Sequence, residues 1–77
     1  MNNKYSKYVK TEALRMERLK NKFSYMEMAQ MLGFKTATSY YNIEVGKTMP
    51  TLKIINAISD IFKKPAEKFF IIKVQQK

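Results

Sequence analysis

The sequence predicts an all-α domain of five short helices, and three features of the chain support this prediction. Apolar residues recur at helical spacing through most of it. A hydroxyl residue stands immediately before three of these stretches, at Ser24, Thr36 and Thr51, where a helix N-cap is expected. Two of the stretches end at a glycine, Gly33 and Gly46. Because 77 residues provide for one hydrophobic core, we expect a single compact domain.

The domain is predicted to span residues 10–70. Residues 1–9 are polar and basic, and they precede the domain as an N-terminal arm. Residues 71–77 follow it as a short C-terminal tail, whose pattern is compatible either with an extension of the last helix or with a short strand.

The first helix is predicted over about residues 10–21. The second begins at Ser24, because Ser24 and Glu27 have the spacing of a capping box, in which each side chain accepts a hydrogen bond from the backbone N–H of the other residue. Gly33 is expected to end this helix in the left-handed conformation. The inner sides of the two helices are predicted to carry Leu14, Arg18, Leu19, Met28, Ala29 and Leu32, with Phe23 between the helices.

The third helix is predicted from about Thr36 to Val45, and Tyr40 and Ile43, three residues apart, are expected to anchor it to the core. Tyr41 and Asn42 would then lie on its exposed face. The second and third helices, joined by a tight turn, form a helix-turn-helix, in which the second of the two helices can enter the major groove of DNA.

A fourth helix is predicted after Pro50, with Thr51 as its N-cap, and residues 63–65 end it with a proline. A short fifth helix is predicted over residues 66–70. The apolar face of the fourth helix is predicted to consist of Leu52, Ile55, Ala57, Ile58, Ile61 and Phe62.

The chain has a formal net charge of +9, from 15 Lys and Arg residues against 6 Asp and Glu. Such an excess is typical of nucleic-acid binding, because cations displace counterions from phosphates. A solubilising, lysine-rich surface explains the charge equally well. Most of the cations are Lys, so the charge favours non-specific attraction to phosphate over bidentate reading of bases.

The composition argues against several classes of function. The sequence contains neither Cys nor His, and it has no phosphate-binding glycine loop and no carboxylate pair. We therefore expect no enzymatic activity, no metal site and no cofactor. The N-terminus lacks the apolar segment of a signal peptide, and the longest apolar run, residues 69–72, is too short to span a membrane. We accordingly expect a cytoplasmic protein without membrane association.

The order and spacing of several motifs resemble the lambda-repressor/Cro-like (XRE) family of helix-turn-helix proteins over residues 12–70. The resemblance implies a DNA-binding transcriptional regulator, of a kind common in phages and mobile elements, and a buried ion pair between Arg18 and Glu44. The matching motifs are Arg18 with Phe23-Ser24, Met28-Ala29 with Leu32-Gly33, Ile43-Glu44-Val45-Gly46-Lys47, and Pro50-Thr51-Leu52, followed by Ile58, Phe62, Glu67 and Phe69.

Three positions depart from the family pattern. The turn at residues 34–36 is one residue longer than the commonest family spacing. Lys22 stands where the family often has Gly, so Asn21 or Lys22 is expected to have a positive φ. Ala37 occupies the first position of the recognition helix, where Gln or Arg is frequent, and this weakens base discrimination at that position.

These observations predict a sequence-preferring regulator, most simply a repressor, that binds double-stranded DNA with its third helix in the major groove. The residues predicted to face bases are Thr38, Ser39, Tyr41 and Asn42, of which Asn42 can pair with adenine. The residues predicted to contact phosphates, together with the N-termini of the second and fourth helices, are Ser24, Tyr25, Lys35, Lys47 and Thr48.

An alternative function is a protein-interaction module, or an antitoxin-like protein that binds a partner protein with the same fold. Ala37 favours this alternative. Met26 and Met31, which stand at positions usually polar in the family, are either ordinary surface residues or an apolar patch for a partner protein.

The apolar run at residues 69–72 either packs on the first helix or forms a contact between two copies of the chain. One recognition helix covers only a few base pairs, so we expect a homodimer on two half-sites. Residues 69–74 are expected to supply much of its interface.

Overall fold

The computed structural model describes residues 3–71 and is all-helical there, apart from one isolated β-bridge. Its four α-helices and one 3-10 helix are α1 (Thr11–Lys20), α2 (Tyr25–Met31), α3 (Ala37–Glu44), α4 (Leu52–Phe62) and a 3-10 turn (Ala66–Lys68). The fold class is as predicted, but the expected fifth α-helix over residues 66–70 is only this single turn. Pro65 precedes it, and the backbone then bends into the β-bridge at Phe70, which leaves no room for further helical turns.

The predicted helix starts are confirmed at three places. Ser24 and Glu27 form the capping box, with the Ser24 Oγ accepting from the Glu27 N–H at 3.0 Å and the Glu27 Oε1 accepting from the Ser24 N–H at 2.8 Å. Thr36 and Thr51 cap α3 and α4 through the N-cap side chain alone, each accepting from the backbone N–H three residues later. Because these bonds join residues only three apart, they can form as soon as each helix forms.

The helix ends use left-handed residues. Gly33 ends α2 at φ +82° and Gly46 follows α3 at φ +81°. Lys22 has φ +60°, so the positive φ that was expected at Asn21 or Lys22 lies at Lys22. Lys63 ends α4 at φ +56° and is the first residue of the 63–65 sequence that was predicted to stop this helix.

Side chains from all four α-helices and from both ends of the described chain form one core. Tyr40 and Ile43 are buried, as predicted for α3. Two predicted inner residues are instead exposed: Leu19 is 47% exposed and Leu52 is 67% exposed. On α1 the buried residues are Leu14, Glu17 and Arg18, which lie three and four positions apart and so share one face of the helix. Leu19 therefore lies outside that face. Leu52 is the first residue of α4 and extends beyond the core. The buried apolar residues are Val9, Leu14, Met28, Ala29, Tyr40, Ile43, Ile55, Ile58, Phe62, Phe69 and Phe70.

The two ends of the described chain are paired. Val9 and Phe70 form an antiparallel β-bridge, in which Lys10 N–H donates to the Phe69 carbonyl at 2.7 Å and Ile71 N–H donates to the Tyr8 carbonyl at 2.8 Å. Residues 3–9, which were expected as an arm ahead of the domain, therefore lie against it.

The position of the apolar run corrects one expectation. Phe69 and Phe70 are fully buried within their own domain, and the Phe69 ring lies 5.4 Å from that of Phe62. They cannot supply a dimer interface, because their surface is already covered. Ile71 is 41% exposed, and the rest of the expected interface, residues 72–74, lies outside the described residues. No helix within residues 3–71 is long and apolar enough to cross a membrane.

Candidate nucleic-acid interface

The turn between α2 and α3 is built from local hydrogen bonds. Gly33 takes the left-handed conformation, and Phe34 N–H then reaches back to the Ala29 carbonyl at 2.8 Å. Ala29 is fully buried, so its small side chain allows close packing at this point. The predicted pair of helices and the tight turn at Gly33 are thus present.

A buried ion pair ties α1 to α3. Arg18 Nε donates to Glu44 Oε1 at 2.8 Å, and Arg18 Nη2 donates to Glu44 Oε2 at 3.2 Å, which is the bidentate geometry of a strong charge-assisted contact. Both residues are buried, and Tyr40 Oη donates to Glu44 Oε1 at 2.9 Å. This is the pair that the family resemblance implies.

The pKa values of Arg18 and Tyr40 are both shifted by their contacts with Glu44 and by burial. The hydrogen bond to Glu44 raises the pKa of Arg18 above its ordinary value. Burial, reinforced by the negative charge of Glu44, raises the pKa of Tyr40 well above its ordinary value of 10. Tyr40 therefore remains a neutral donor to the carboxylate at neutral pH.

The ion pair extends toward the surface through two aromatic rings. The Arg18 guanidinium lies 4.1 Å from the centroid of the Tyr25 ring. The Tyr25 ring in turn lies 5.1 Å from that of Tyr41, with the two planes nearly perpendicular at 88°. Tyr25 is half-buried, whereas Tyr41 is 42% exposed on the outer face of α3.

The outer face of α3 carries the four residues that were predicted to face bases. Thr38 and Tyr41 are exposed, while Ser39 and Asn42 are half-buried. The Ser39 hydroxyl lies 3.1 Å from the hydroxyl of Thr36, so it is partly engaged in the cap of α3. The Asn42 side chain forms no hydrogen bond within residues 3–71, which leaves its amide available.

The residues that were predicted to contact phosphates lie at the two ends of α3 and at the start of α2. Lys35 is exposed before α3, and Lys47 and Thr48 are exposed after it. The backbone N–H groups of Lys47 and Thr48 both donate to the Asn42 carbonyl, at 2.8 and 3.2 Å. Ser24 is exposed, but its capping box places the Glu27 carboxylate at the same helix end. That negative charge opposes an approaching phosphate there.

The structure also brings the N-terminal segment to the end of α3, which was not anticipated from the sequence. Asn3 Nδ2 donates to the Val45 carbonyl at 2.9 Å, and Tyr5 N–H donates to the Gly46 carbonyl at 2.7 Å. A Cβ at Gly46 would lie only 2.7 Å from the Ser6 Cα, so glycine is needed for this approach. In the sequence, Gly46 was the one residue that indicated this contact. A glycine at that position was already explained by its role in ending α3.

A second partly buried ion pair was likewise missed. Lys64 Nζ donates to Glu17 Oε1 at 2.9 Å and so links α1 to the segment that follows α4. This hydrogen bond and the charge of Lys64 lower the pKa of Glu17, against the opposing effect of burial. The two residues are 47 positions apart, and no local pattern connects them.

Comparison with known proteins agrees with this geometry. A family model described as helix-turn-helix, of the lambda-repressor/Cro-like (XRE) type, matches residues 14–69. No curated protein matches the chain. The matched stretch covers most of the chain and contains α2, the Gly33 turn, α3 and both members of the Arg18–Glu44 ion pair. The chain therefore belongs to the XRE family of helix-turn-helix proteins, a family of DNA-binding transcription regulators.

Proposed function

We propose that the protein is a sequence-preferring repressor that binds double-stranded DNA by inserting α3 into the major groove. The observation that carries this proposal is the outer face of α3, which presents Thr38, Tyr41 and Asn42 on a helix held by a buried ion pair. A helix fixed in this way loses little freedom on binding.

The surrounding charge supports the same proposal. Exposed Lys35 and Lys47 flank the two ends of α3, where DNA backbones would border the groove, and the chain as a whole carries +9. Cations at these positions would fix the register of the helix without reading sequence. Asn42, with its amide free within the described residues, is the best candidate for a base contact, because a carboxamide can pair with adenine at two atoms.

The test begins with selection of bound fragments from random double-stranded DNA, which supplies the preferred site. Affinities for that site and for random DNA are then compared among variants. Asn42→Ala should lose about 1–3 kcal/mol of discrimination, because base contacts distinguish sequences. Lys47→Ala should weaken both affinities alike. It should also reduce the slope of log affinity against log salt concentration by the amount expected for about one phosphate contact.

Lys68→Ala is the matched control, since Lys68 is an exposed cation in the 3-10 turn and not on α3. Unlike Lys47→Ala, it should leave both affinities, and hence discrimination, nearly unchanged. Equal losses on the selected site and on random DNA for Asn42→Ala would remove Asn42 from the base-reading residues.

We further propose that the repressor acts as a homodimer on two half-sites about one helical turn apart, because a single α3 covers too few base pairs for tight binding. Burial of Phe69 and Phe70 removes these two residues from the expected interface, Ile71 is 41% exposed, and residues 72–74 lie outside the described residues. Sedimentation equilibrium with and without the selected DNA measures the oligomeric state.

A protein-interaction module is the second candidate, and the exposure of Met26 (43%) and Met31 (45%) on α2 favours it. Flexible methionine side chains suit adaptable contacts with a partner protein. Binding to duplex DNA separates the two candidates. A regulator binds its selected site more tightly than random DNA, whereas an interaction module with the same basic charge shows only sequence-independent attraction that disappears as the salt concentration rises.

A further inference from the structure

A continuous series of contacts runs from the buried ion pair to the surface of α3. Arg18 is held on several sides: Glu44 accepts two of its hydrogen bonds, and the Phe23 carbonyl accepts a third from Nη1 at 2.9 Å. With its donors engaged in this way, the guanidinium has a fixed position, 4.1 Å from the centroid of the Tyr25 ring.

The fixed guanidinium in turn restrains Tyr25. A cation beside an aromatic ring is attracted by the ring's quadrupole, and the attraction grows where water is excluded. Arg18 is buried here and Tyr25 is half-buried. Tyr25 also lies 6.4 Å from the buried ring of Tyr40, so its ring is bordered by ordered groups on more than one side.

Tyr25 meets Tyr41 in a perpendicular arrangement, with ring centroids 5.1 Å apart. This is a favoured geometry for aromatic pairs, because the positive edge of one ring meets the negative face of the other. Tyr41 is otherwise exposed on the DNA-facing side proposed above. Tyr25 thus connects a buried guanidinium that donates three hydrogen bonds to an exposed side chain.

We infer that Tyr25 is a positioning residue that determines DNA specificity by fixing the Tyr41 ring before DNA binds. This inference rests on the proposed function and extends it. It assigns the Tyr25 ring a role apart from the phosphate contact that was predicted for this residue. A side chain that is already ordered loses less conformational entropy on binding and accepts fewer alternative bases.

The ring and the hydroxyl group of Tyr25 can be tested separately. Tyr25→Phe retains the ring and should keep the discrimination between the selected site and random DNA. Tyr25→Leu removes the ring and should reduce discrimination by about two- to tenfold, the range expected for loss of one aromatic pair. Tyr25→Met, whose flexible side chain of similar volume can adapt to the space left by the ring, tests the same point should Tyr25→Leu fail to fold.

A double-mutant cycle shows whether the effect passes through Tyr41. In a Tyr41→Ala background, Tyr25→Leu should cause no further loss of discrimination, since the group that it positions is absent. Tyr8→Leu is the control, because Tyr8 is a half-buried tyrosine outside the proposed contact set. It should leave discrimination as in the wild type.

A measurement on the free protein makes the test independent of DNA. NMR relaxation of the Tyr41 ring should report an ordered ring in the wild type and in Tyr25→Phe, and a more mobile ring in Tyr25→Leu and Tyr25→Met. Unchanged order in these last two variants, or additive losses of discrimination in the cycle, would overturn the inference. If the wild-type protein selects no sequence, the proposed function fails and the inference fails with it. If only the inference about Tyr25 is wrong, the wild-type protein still discriminates between the selected site and random DNA.

Discussion

At the scale of single residues, the group with most influence is the Glu44 carboxylate. It is 2% exposed, yet it accepts from Arg18 through both oxygens and from the Tyr40 hydroxyl. A buried ion pair of this kind adds little net stability over an apolar pair, because both charges have lost their hydration. Its effect here is to fix the orientation of α3 relative to α1.

Replacing Glu44 alone should therefore be costly. Glu44→Leu should lower the free energy of unfolding by about 3–5 kcal/mol, because the Arg18 charge remains buried without its partner. Urea denaturation measures the change. The double variant Arg18→Met/Glu44→Leu should recover part of the loss, since no unpaired charge is left.

The exposed Glu12–Arg15 pair is the matched control. Its closest charged atoms are 4.0 Å apart and both side chains are largely exposed. Glu12→Gln should change the free energy of unfolding by less than about 1 kcal/mol. A Glu44→Leu protein as stable as the Glu12→Gln protein would show that Arg18 reaches water when its partner is removed.

At the scale of elements, the connection that follows α3 has the strictest steric requirement. Gly33 and Gly46 have nearly the same φ, +82° and +81°, and each comes just after a helix. Their surroundings differ: a Cβ at Gly33 would meet no atom within 4 Å, whereas one at Gly46 would lie 2.7 Å from the Ser6 backbone. Comparing a substitution at Gly33 with one at Gly46 therefore separates the cost of the left-handed conformation from the cost of a steric clash.

Gly33→Ala should destabilise the protein by about 1–2 kcal/mol, the penalty for an L-residue in the left-handed region. Gly46→Ala should cost more, because the N-terminal segment must also move away from the end of α3. Thermal and urea unfolding of both variants give the comparison. Equal costs would mean that residues 3–6 are only loosely held at Gly46 in solution.

At the scale of the whole molecule, contacts between distant segments close the domain. The β-bridge joins Val9 to Phe70, and the Glu17–Lys64 ion pair joins α1 to the segment after α4. Glu17 is nearly buried, while the Lys64 side chain is 32% exposed, so solvent weakens the attraction without abolishing it.

This ion pair should make stability depend on pH in the acid range. The pKa of Glu17 is lowered in the folded state, so its contribution is present above the ordinary value of 4.5 and is lost as the pH falls through the lowered value. Glu17→Gln should reduce the free energy of unfolding by at most about 1 kcal/mol at pH 7, given the exposure of Lys64. The difference from wild type should shrink as the pH falls below 4.5.

Urea denaturation between pH 3 and pH 7 measures this dependence, with Glu67→Gln as a control at an exposed carboxylate. A difference between Glu17→Gln and wild type that stays constant over the whole pH range would assign the loss to packing instead of charge.

The sequence by itself determined the features that depend on near neighbours. The capping box of Ser24 and Glu27, the N-caps at Thr36 and Thr51, and the left-handed Gly33 each involve groups within a few residues, and all were predicted. Their hydrogen bonds and backbone angles are set by local geometry, which a linear pattern records directly. The motif spacing also identified the family and its Arg18–Glu44 pair.

Only the tertiary structure decided the features that join distant parts of the chain. Leu19 and Leu52 are apolar but exposed, and Phe69 lies in the core of its own domain, because coverage by other segments decides burial. The contacts of Glu17 with Lys64 and of Tyr25 with Tyr41 likewise require two elements to meet in one relative orientation. Helical periodicity shows which residues share a face of one helix, but it does not specify what that face meets across the molecule.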